Sequence, residues 1–192
     1  MEKKNIVFVS HCVLNTASKV TTFSHKTGEE ETARKDFLHF AVDNDIHLIQ
    51  LPCPEFNIYG ASRWGHTKEQ FDNPFFEKYC IEMLEPYILQ MREYIKECNK
   101  FSVLGVVGIN GSPSCGIDIT CSGNWGGEFS GRDNLQETIK TIHIVQEKGM
   151  LMKVLQNLMK ENKINLPMMD LKEAKIKILD LIRGEINENL VK

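Results

Sequence analysis

The stretch that decides the fold is an apolar run, Phe101-Ser-Val-Leu-Gly-Val-Val107, followed directly by Gly108-Ile-Asn-Gly-Ser-Pro-Ser-Cys-Gly116. Its consecutive apolar residues predict a strand that is buried on both faces, as in a parallel sheet. The segment that follows places a cysteine, two hydroxyls and three glycines just beyond the end of that strand. In parallel sheets, ligands bind beyond the carboxyl ends of the strands, so this segment is a candidate for a functional loop.

Two further cysteines follow apolar runs in the same way. Cys12 comes after Asn5-Ile-Val-Phe-Val-Ser10, and Cys53 comes after Asp45-Ile-His-Leu-Ile-Gln-Leu51. Since the carboxyl ends of parallel strands meet at one edge of a sheet, the three units of strand and cysteine predict one shared site.

Segments with helical spacing separate the apolar runs. They cover residues 29–43, 75–98, 135–161 and 171–184, with a kink or division expected at Pro86 and a break expected near Gly149. A loop is expected at 56–74, and a weak fourth strand at 164–169. This alternation predicts a single three-layer α/β domain, residues 1–192, with a Rossmann- or flavodoxin-like parallel sheet of about four to five strands and helices on both faces. Residues 185–192 are expected to form a frayed tail.

The composition limits the classes of function. Hydrophobic residues at 42% and charged residues at 26% are ordinary values for a globular protein. The apolar runs are too short for a membrane span and no leader is visible, so we expect a cytoplasmic protein without a membrane partner. A formal charge of −3 without a basic block gives no footprint for nucleic acid. A small-molecule substrate and a monomer or homodimer are expected.

In a reducing compartment, the six cysteines are expected to be metal ligands, catalytic thiols or small core residues rather than disulfides. Thiolates are the preferred ligands of iron-sulfur clusters and of structural zinc. A structural zinc site usually has four ligands with local pairs such as Cys-x-x-Cys, and Cys12, Cys53 and Cys115 form no such pair. A four-iron cluster held by three cysteines leaves one iron open to a substrate.

Three short motifs, Ser10-His-Cys-Val-Leu-Asn15, Pro52-Cys-Pro-Glu55 and Ser112-Pro-Ser-Cys-Gly116, resemble those of the 2-thiouracil desulfidase family in type and order. They resemble more closely a related group of predicted desulfidases. The resemblance implies that Cys12, Cys53 and Cys115 hold a [4Fe-4S] cluster with one open iron. It also implies that Glu55 and Ser112 are the catalytic glutamate and serine.

The implied reaction removes sulfur as hydrosulfide from a thiocarbonyl-containing small molecule that resembles a thiolated nucleobase. The open iron would bind the sulfur, Glu55 would transfer protons or activate water, and Ser112 would position the substrate. The chain departs from the family in two places: Phe56-Asn-Ile-Tyr-Gly-Ala-Ser-Arg-Trp-Gly65 replaces a glycine-rich segment, and His11 and Asn15 flank Cys12. We therefore expect a different pocket, and its candidate substrate-binding residues are His11, Asn15, Arg63, Trp64 and Ser114.

Simpler interpretations stay open for the same residues. Each cysteine is equally consistent with a small core residue at a strand end. Glu55 is consistent with a helix cap or with an ion pair to Arg63, and Ser112 and Ser114 with a turn. The neighbouring glycines also suit an anion at a helix start, although their spacing matches neither a dinucleotide-binding nor a Walker A motif.

Two alternative functions remain. One is a metal-free thiol enzyme with Cys12 or Cys115 as nucleophile and His11 or His143 as base. The other is a non-catalytic module that binds a cluster or sulfide and tolerates the loss of Glu55. Among the other cysteines, Cys80 and Cys98 lie in a predicted helix and are expected in the core, and Cys121 is a neighbour of Cys115 or a fourth ligand.

Overall fold

The structure is a computed structural model that describes residues 3–22 and 28–184. Its strands are β1 (Lys4–Val9), β2 (Ile46–Gln50), β3 (Phe101–Gly108), β4 (Thr120–Ser122), β5 (His143–Val145) and β6 (Met168–Asp170). Its helices are α1 (His11–Leu14), α2 (Gly28–Asp43), α3 (Pro54–Tyr59), α4 (Lys68–Phe71), α5 (Pro74–Lys96), α6 (Leu135–Lys140), α7 (Met150–Glu161) and α8 (Leu171–Ile182). The predicted tail, residues 185–192, lies outside the described residues.

The main sheet has four strands in the order β2-β1-β3-β6, and all of its neighbouring pairs are parallel. The central strand β1 is buried on both faces, because Ile6, Val7, Phe8 and Val9 are each at most 3% exposed. This is what the consecutive apolar residues predict, since each face of a parallel sheet is covered by helices.

Helices cover both faces of this sheet. Helices α5 and α7 pack together on one face, and α2 and α8 pack together on the other. Side chains that alternate along β1 enter the two cores in turn, Phe8 on the α5 side and Val7 on the α2 side. The predicted three-layer, Rossmann- or flavodoxin-like α/β fold with a parallel sheet is therefore confirmed.

Some local predictions differ from the structure. The segment 135–161 was expected to form two helices or one interrupted helix with a break near Gly149. Gly149 is indeed the N-cap of α7, but β5, which separates α6 from α7 and pairs antiparallel with β4, was not expected. The expected loop after Cys53 contains α3 and α4, and α5 continues through Pro86 as one helix. The fourth strand, β6, is short and pairs only with the end of β3.

The order of the strands creates a switch point at the carboxyl edge of the sheet. From β1 the chain passes to β2 on one side, and it later returns to β3 on the other side of β1. The loops after β1 and β3 therefore diverge and leave a crevice, which is where ligands bind in sheets of this kind. Within the described residues, no helix is long and apolar enough to span a membrane.

Candidate functional site

One cavity of about 360 Å³ lies at the switch point, and Cys12, Cys53 and Cys115 all line it. Cys53 and Cys115 are buried, Cys12 is partly exposed, and all three are free thiols. The structure thus brings the three strand-end cysteines together at one place. Glu55 and Ser114 line the same cavity.

Two hydrogen bonds fix the turn that carries Cys12. The N–H of Ser10 donates to the carbonyl of Val107 at 2.9 Å, so the end of β1 stays attached to β3. The side-chain Nε2 of Gln50 donates to the carbonyl of His11 at 2.9 Å, which attaches the same turn to the end of β2. Cys12 lies in the single-turn helix α1 directly after this turn, so the same two hydrogen bonds fix its position.

The Cys53 segment is a stiff turn that becomes the start of α3. Cys53 occupies the N-cap position, and its sulfur accepts the N–H of Phe56 at 3.4 Å. Pro54 stands at the start of the helix, where its fixed φ favours a helical turn and its missing N–H costs nothing. Glu55 follows in the first turn with only 8% exposure, so the carboxylate faces the interior.

Helix α7 holds the loop that carries Cys115. The N–H groups of Met150 and Met152 donate to the carbonyls of Pro113 and Ser114 at 2.9 and 3.2 Å. The loop therefore satisfies helix N–H groups that have no partner within the helix. Gly149 is required at this contact, because a Cβ there would lie 2.6 Å from the carbonyl oxygen of Ser114.

A hydrogen bond joins the carboxylate to this loop. The Oγ of Ser114 donates to Oε1 of Glu55 at 2.6 Å, and it lies 3.5 Å from Sγ of Cys115. Ser112 has a different role, since its Oγ accepts the backbone N–H groups of Ser114 and Cys115 at 3.3 and 3.0 Å. The structure thus places Ser114 against the carboxylate, whereas the resemblance assigns the catalytic role to Ser112.

Arg63 connects three segments around the cavity. Its Nη2 donates to the carbonyl of Ser18 at 2.7 Å, and its Nη1 donates to the carbonyl of Gly60 at 3.0 Å. Its Nε stands 3.5 Å from Oε2 of Glu55, and the two side chains are only 4% and 11% exposed. The guanidinium therefore balances a buried carboxylate and also holds the loop that follows Cys12.

Burial raises the pKa of each of the three thiols, to about 12 for Cys12 and well above the ordinary value for Cys115. The sulfurs also act on one another: Cys53 raises the pKa of Cys12, and both raise that of Cys115. Lys19, which lines the cavity, opposes this effect at Cys12. Thiols in such a position stay protonated unless a cation binds them, and ligation by a metal deprotonates a thiol outright.

The chemistry of this donor set fits an iron-sulfur cluster. Ser10 is completely buried. Its hydroxyl lowers the pKa of Cys115, but it makes no hydrogen bond of normal geometry with any described residue. A ligated sulfur would be a better acceptor for this hydroxyl than a protonated thiol. Within residues 3–22 and 28–184, no three His, Cys, Asp or Glu side chains are placed to hold a single metal ion. A cluster differs because each cysteine binds a separate iron.

The remaining substrate-binding candidates lie outside the cysteine cavity. His11 Nε2 stands 3.4 Å from the amide nitrogen of Asn15, whose Oδ1 accepts the N–H of Ala17 and caps a short 3₁₀ turn. Trp64 lines a neighbouring cleft. His143, the alternative base, is exposed on β5 with its Nδ1 2.8 Å from the carbonyl oxygen of Thr141.

Sequence reasoning missed several residues of the cavity. Lys19 and Glu30 form an ion pair there, and Ser10 lies buried beside Cys115. The loop after Cys12 is visibly rich in polar residues, which is the only signal in the sequence for Lys19. Cys121 lies on β4 and is not among the described residues that line the cavity.

Comparison with known proteins gives one relative. The chain is 36% identical over 117 residues to a protein of Methanocaldococcus jannaschii named "Uncharacterized protein MJ0003", and the alignment covers 61% of this chain and 70% of that protein. The chain therefore belongs to the same family as that protein. No family model matches the chain. No solved structure shows significant similarity to it.

Replacing Arg63 with methionine is expected to lower the free energy of unfolding by about 3–5 kcal/mol, because the carboxylate of Glu55 is then buried without its cation. Adding Glu55→Gln to Arg63→Met removes that charge and should restore part of the loss. Urea unfolding followed by circular dichroism measures both changes. The control is Lys78→Met, since Lys78 forms an exposed ion pair with Glu82, and it should leave the midpoint unchanged. Equal stability of Arg63→Met and Lys78→Met would contradict the proposed role of the buried pair.

Proposed function

We propose that this protein is a desulfidase that removes sulfur, as hydrosulfide, from a thiocarbonyl-containing small molecule, with a [4Fe-4S] cluster held by Cys12, Cys53 and Cys115. The observation that carries the proposal is that these three cysteines line one cavity together with the hydrogen-bonded pair of Glu55 and Ser114. The resemblance of the surrounding motifs to the 2-thiouracil desulfidase family supports the same function.

The reaction replaces the sulfur of a C=S group by the oxygen of water, so the products are a carbonyl compound and hydrosulfide. No electrons are gained or lost, and no electron donor is needed. When bound, the cluster supplies an iron without a protein ligand, which acts as a Lewis acid towards sulfur. The chain itself must place the substrate, activate the water and move the protons.

Glu55 is the group best placed to move protons. Its carboxylate borders the cavity two residues after Cys53, on the first turn of α3. We assign to it the removal of a proton from the attacking water, followed by delivery of a proton towards the departing sulfur. Oε1 accepts the hydroxyl of Ser114 and Oε2 lies 3.5 Å from Nε of Arg63, so both oxygens are held at the edge of the cavity where this exchange would take place.

Ser114 acts as a positioning residue. With 1% exposure and a 2.6 Å hydrogen bond to Oε1, its hydroxyl fixes the orientation of the carboxylate. Hydrogen bonds to an ionised group are short and about twice as strong as those between neutral groups, so this contact stabilises the observed orientation of the carboxylate. Lys19 and Arg63 also line the cavity, and each is paired with a carboxylate there, Lys19 with Glu30 and Arg63 with Glu55.

The arrangement favours this function over a metal-free thiol enzyme. A nucleophilic cysteine needs a base or a cation that stabilises its thiolate. Among the described residues, no histidine or lysine is hydrogen-bonded to the sulfur of Cys12, Cys53 or Cys115. Lys19 lowers the pKa of Cys12, but burial outweighs it and raises that pKa to about 12. A non-catalytic cluster module would not need Glu55 at all. Replacing Glu55 therefore distinguishes the desulfidase from the non-catalytic module.

Anaerobic reconstitution should give about four irons and four sulfides per chain with a broad visible absorbance, as expected of a [4Fe-4S] protein. Cys12→Ala, Cys53→Ala and Cys115→Ala should each lose most of this iron while keeping the circular dichroism of a folded chain. Cys80→Ala and Cys98→Ala are matched controls and should retain it. The cluster assignment would fail if iron bound equally well to the first three variants and to the controls.

Replacing Glu55 with glutamine should reduce kcat for hydrosulfide release about 10²–10⁴-fold, because a positioned acid-base group contributes a factor of that size. The measurement is sulfide release from a panel of thiolated pyrimidines, 2-thiouracil and 4-thiouracil among them, at equal iron content. Ser114→Ala should also lower kcat, and Glu77→Gln, a change on the first turn of α5, should leave it unchanged. If iron were bound but no member of the panel released sulfide, the non-catalytic module would be favoured.

A further inference from the structure

A second cavity, of about 270 Å³, lies beside the cysteine cavity and shares Arg63 with it. Two segments that are far apart in the sequence form its walls, one at 59–70 and the other at 125–129. We call it the aromatic cleft, and its rings belong to Tyr59, Trp64, His66, Trp125 and Phe129. None of the roles assigned above to the cysteine cavity uses these rings.

The rings of the aromatic cleft are fixed by contacts with one another and remain partly exposed to solvent. Phe129 lies between the two tryptophans, with ring centroids 5.7 Å from Trp64 and 5.8 Å from Trp125. The indole N–H of Trp125 donates to the carbonyl of Gly65 at 2.9 Å and so joins the two segments. Trp64 nevertheless remains 70% exposed and Phe129 47% exposed. The cleft therefore offers aromatic faces on which another ring could stack.

His66 adds a polar group to the aromatic cleft. Its ring lies against that of Tyr59, with centroids 4.6 Å apart and the planes tilted by 35°, and its Nδ1 is buried without a hydrogen-bond partner among the described residues. Burial lowers the pKa of His66, so its imidazole is neutral near pH 7. A buried polar atom without a partner is costly, so His66 is an unsatisfied group in the wall of the aromatic cleft.

The charges around the aromatic cleft exclude two other classes of ligand. Among the described residues that line it, Arg63 is the only permanently charged side chain, and no carboxylate is present. A quaternary ammonium ion would meet aromatic faces but also this guanidinium, which repels it. An anion would meet a guanidinium that already contacts Glu55. A neutral planar ring needs no counter-charge, and every such ring has a π face for stacking.

We propose that the aromatic cleft binds a neutral, planar heteroaromatic ring that belongs to the substrate, and that the sulfur-bearing group of the same molecule enters the cysteine cavity past Arg63. The substrate would then have two parts, a ring for the cleft and a thiocarbonyl group for the cysteines. The link to the cysteines rests on the proposed function, whereas binding of the ring in the cleft does not.

Ring binding has a specific reporter, because the chain contains two tryptophans and both line the aromatic cleft. The full chain without iron is titrated with uridine, adenosine and dihydrouridine, and tryptophan fluorescence and calorimetry are recorded. Dihydrouridine keeps the polar groups of uridine on a puckered ring that is not aromatic. We expect uridine or adenosine to quench the fluorescence, and dihydrouridine to bind at least about tenfold more weakly than uridine, since stacking on aromatic side chains contributes a factor of that size.

Two variants locate the binding. Phe129→Ala should weaken uridine or adenosine by about tenfold for the same reason, and it keeps both tryptophans as reporters. The control is Phe75→Ala, because Phe75 is 87% exposed at the start of α5, outside the cleft, and it should bind like the parent protein. The inference is wrong if neither nucleoside quenches the fluorescence, if uridine and dihydrouridine bind equally, if tetramethylammonium binds in their place, or if Phe129→Ala has no effect.

The two proposals can fail separately. Release of sulfide from a thiolated pyrimidine by an enzyme that is insensitive to Phe129→Ala would overturn the role of the aromatic cleft and leave the desulfidase intact. Nucleoside binding that is lost in Phe129→Ala but unchanged in Cys115→Ala supports the cleft. If the same protein binds no iron on reconstitution, the proposed function falls and ring binding in the cleft remains.

Discussion

The parallel pairing of β1 with both β2 and β3 is the constraint on which the site depends. It brings three strand ends to one edge of the sheet, and the backbone bonds of Ser10 to Val107 and of Leu51 to Val9 extend the pairing beyond the strands. An antiparallel partner would send its carboxyl end to the opposite edge, and its cysteine with it. The three thiols therefore meet because of the strand direction, although they are widely separated in the sequence.

The pKa values of the three thiols then determine which groups the cavity can bind. Burial raises the pKa of all three thiols; Cys53 adds to this effect at Cys12, and Cys12 and Cys53 add to it at Cys115, so the protein alone cannot keep them as thiolates. A bound cationic centre removes this conflict, and it also gives the hydroxyl of Ser10 an acceptor. On the other side of the cavity, Ser114 and Arg63 hold the carboxylate of Glu55 in place. The site thus has three cysteine sulfurs on one side and the hydrogen-bonded, ion-paired carboxylate of Glu55 on the other.

The sequence reveals the scaffold of this site better than its contacts. Buried strands are visible as consecutive apolar residues, and proline at the start of α3 marks the turn after Cys53. The contact of Ser114 with Glu55 could not be predicted, because it depends on the hydrogen bonds by which α7 positions the Cys115 loop opposite α3. The aromatic cleft joins Trp64 to Trp125 across many intervening residues, and no local pattern encodes such a contact. Strand β5 is too short for its own periodic signal.

The most direct measurement of three-cysteine ligation is the Mössbauer spectrum of protein reconstituted anaerobically with isotope-labelled iron, recorded before and after the addition of hydrosulfide. Ligation by Cys12, Cys53 and Cys115 predicts a [4Fe-4S] spectrum in which one iron site changes when hydrosulfide is added and the other sites do not. A spectrum without a cluster, or a cluster in which every iron is unaffected by hydrosulfide, would contradict an open iron and with it the proposed chemistry of the cavity.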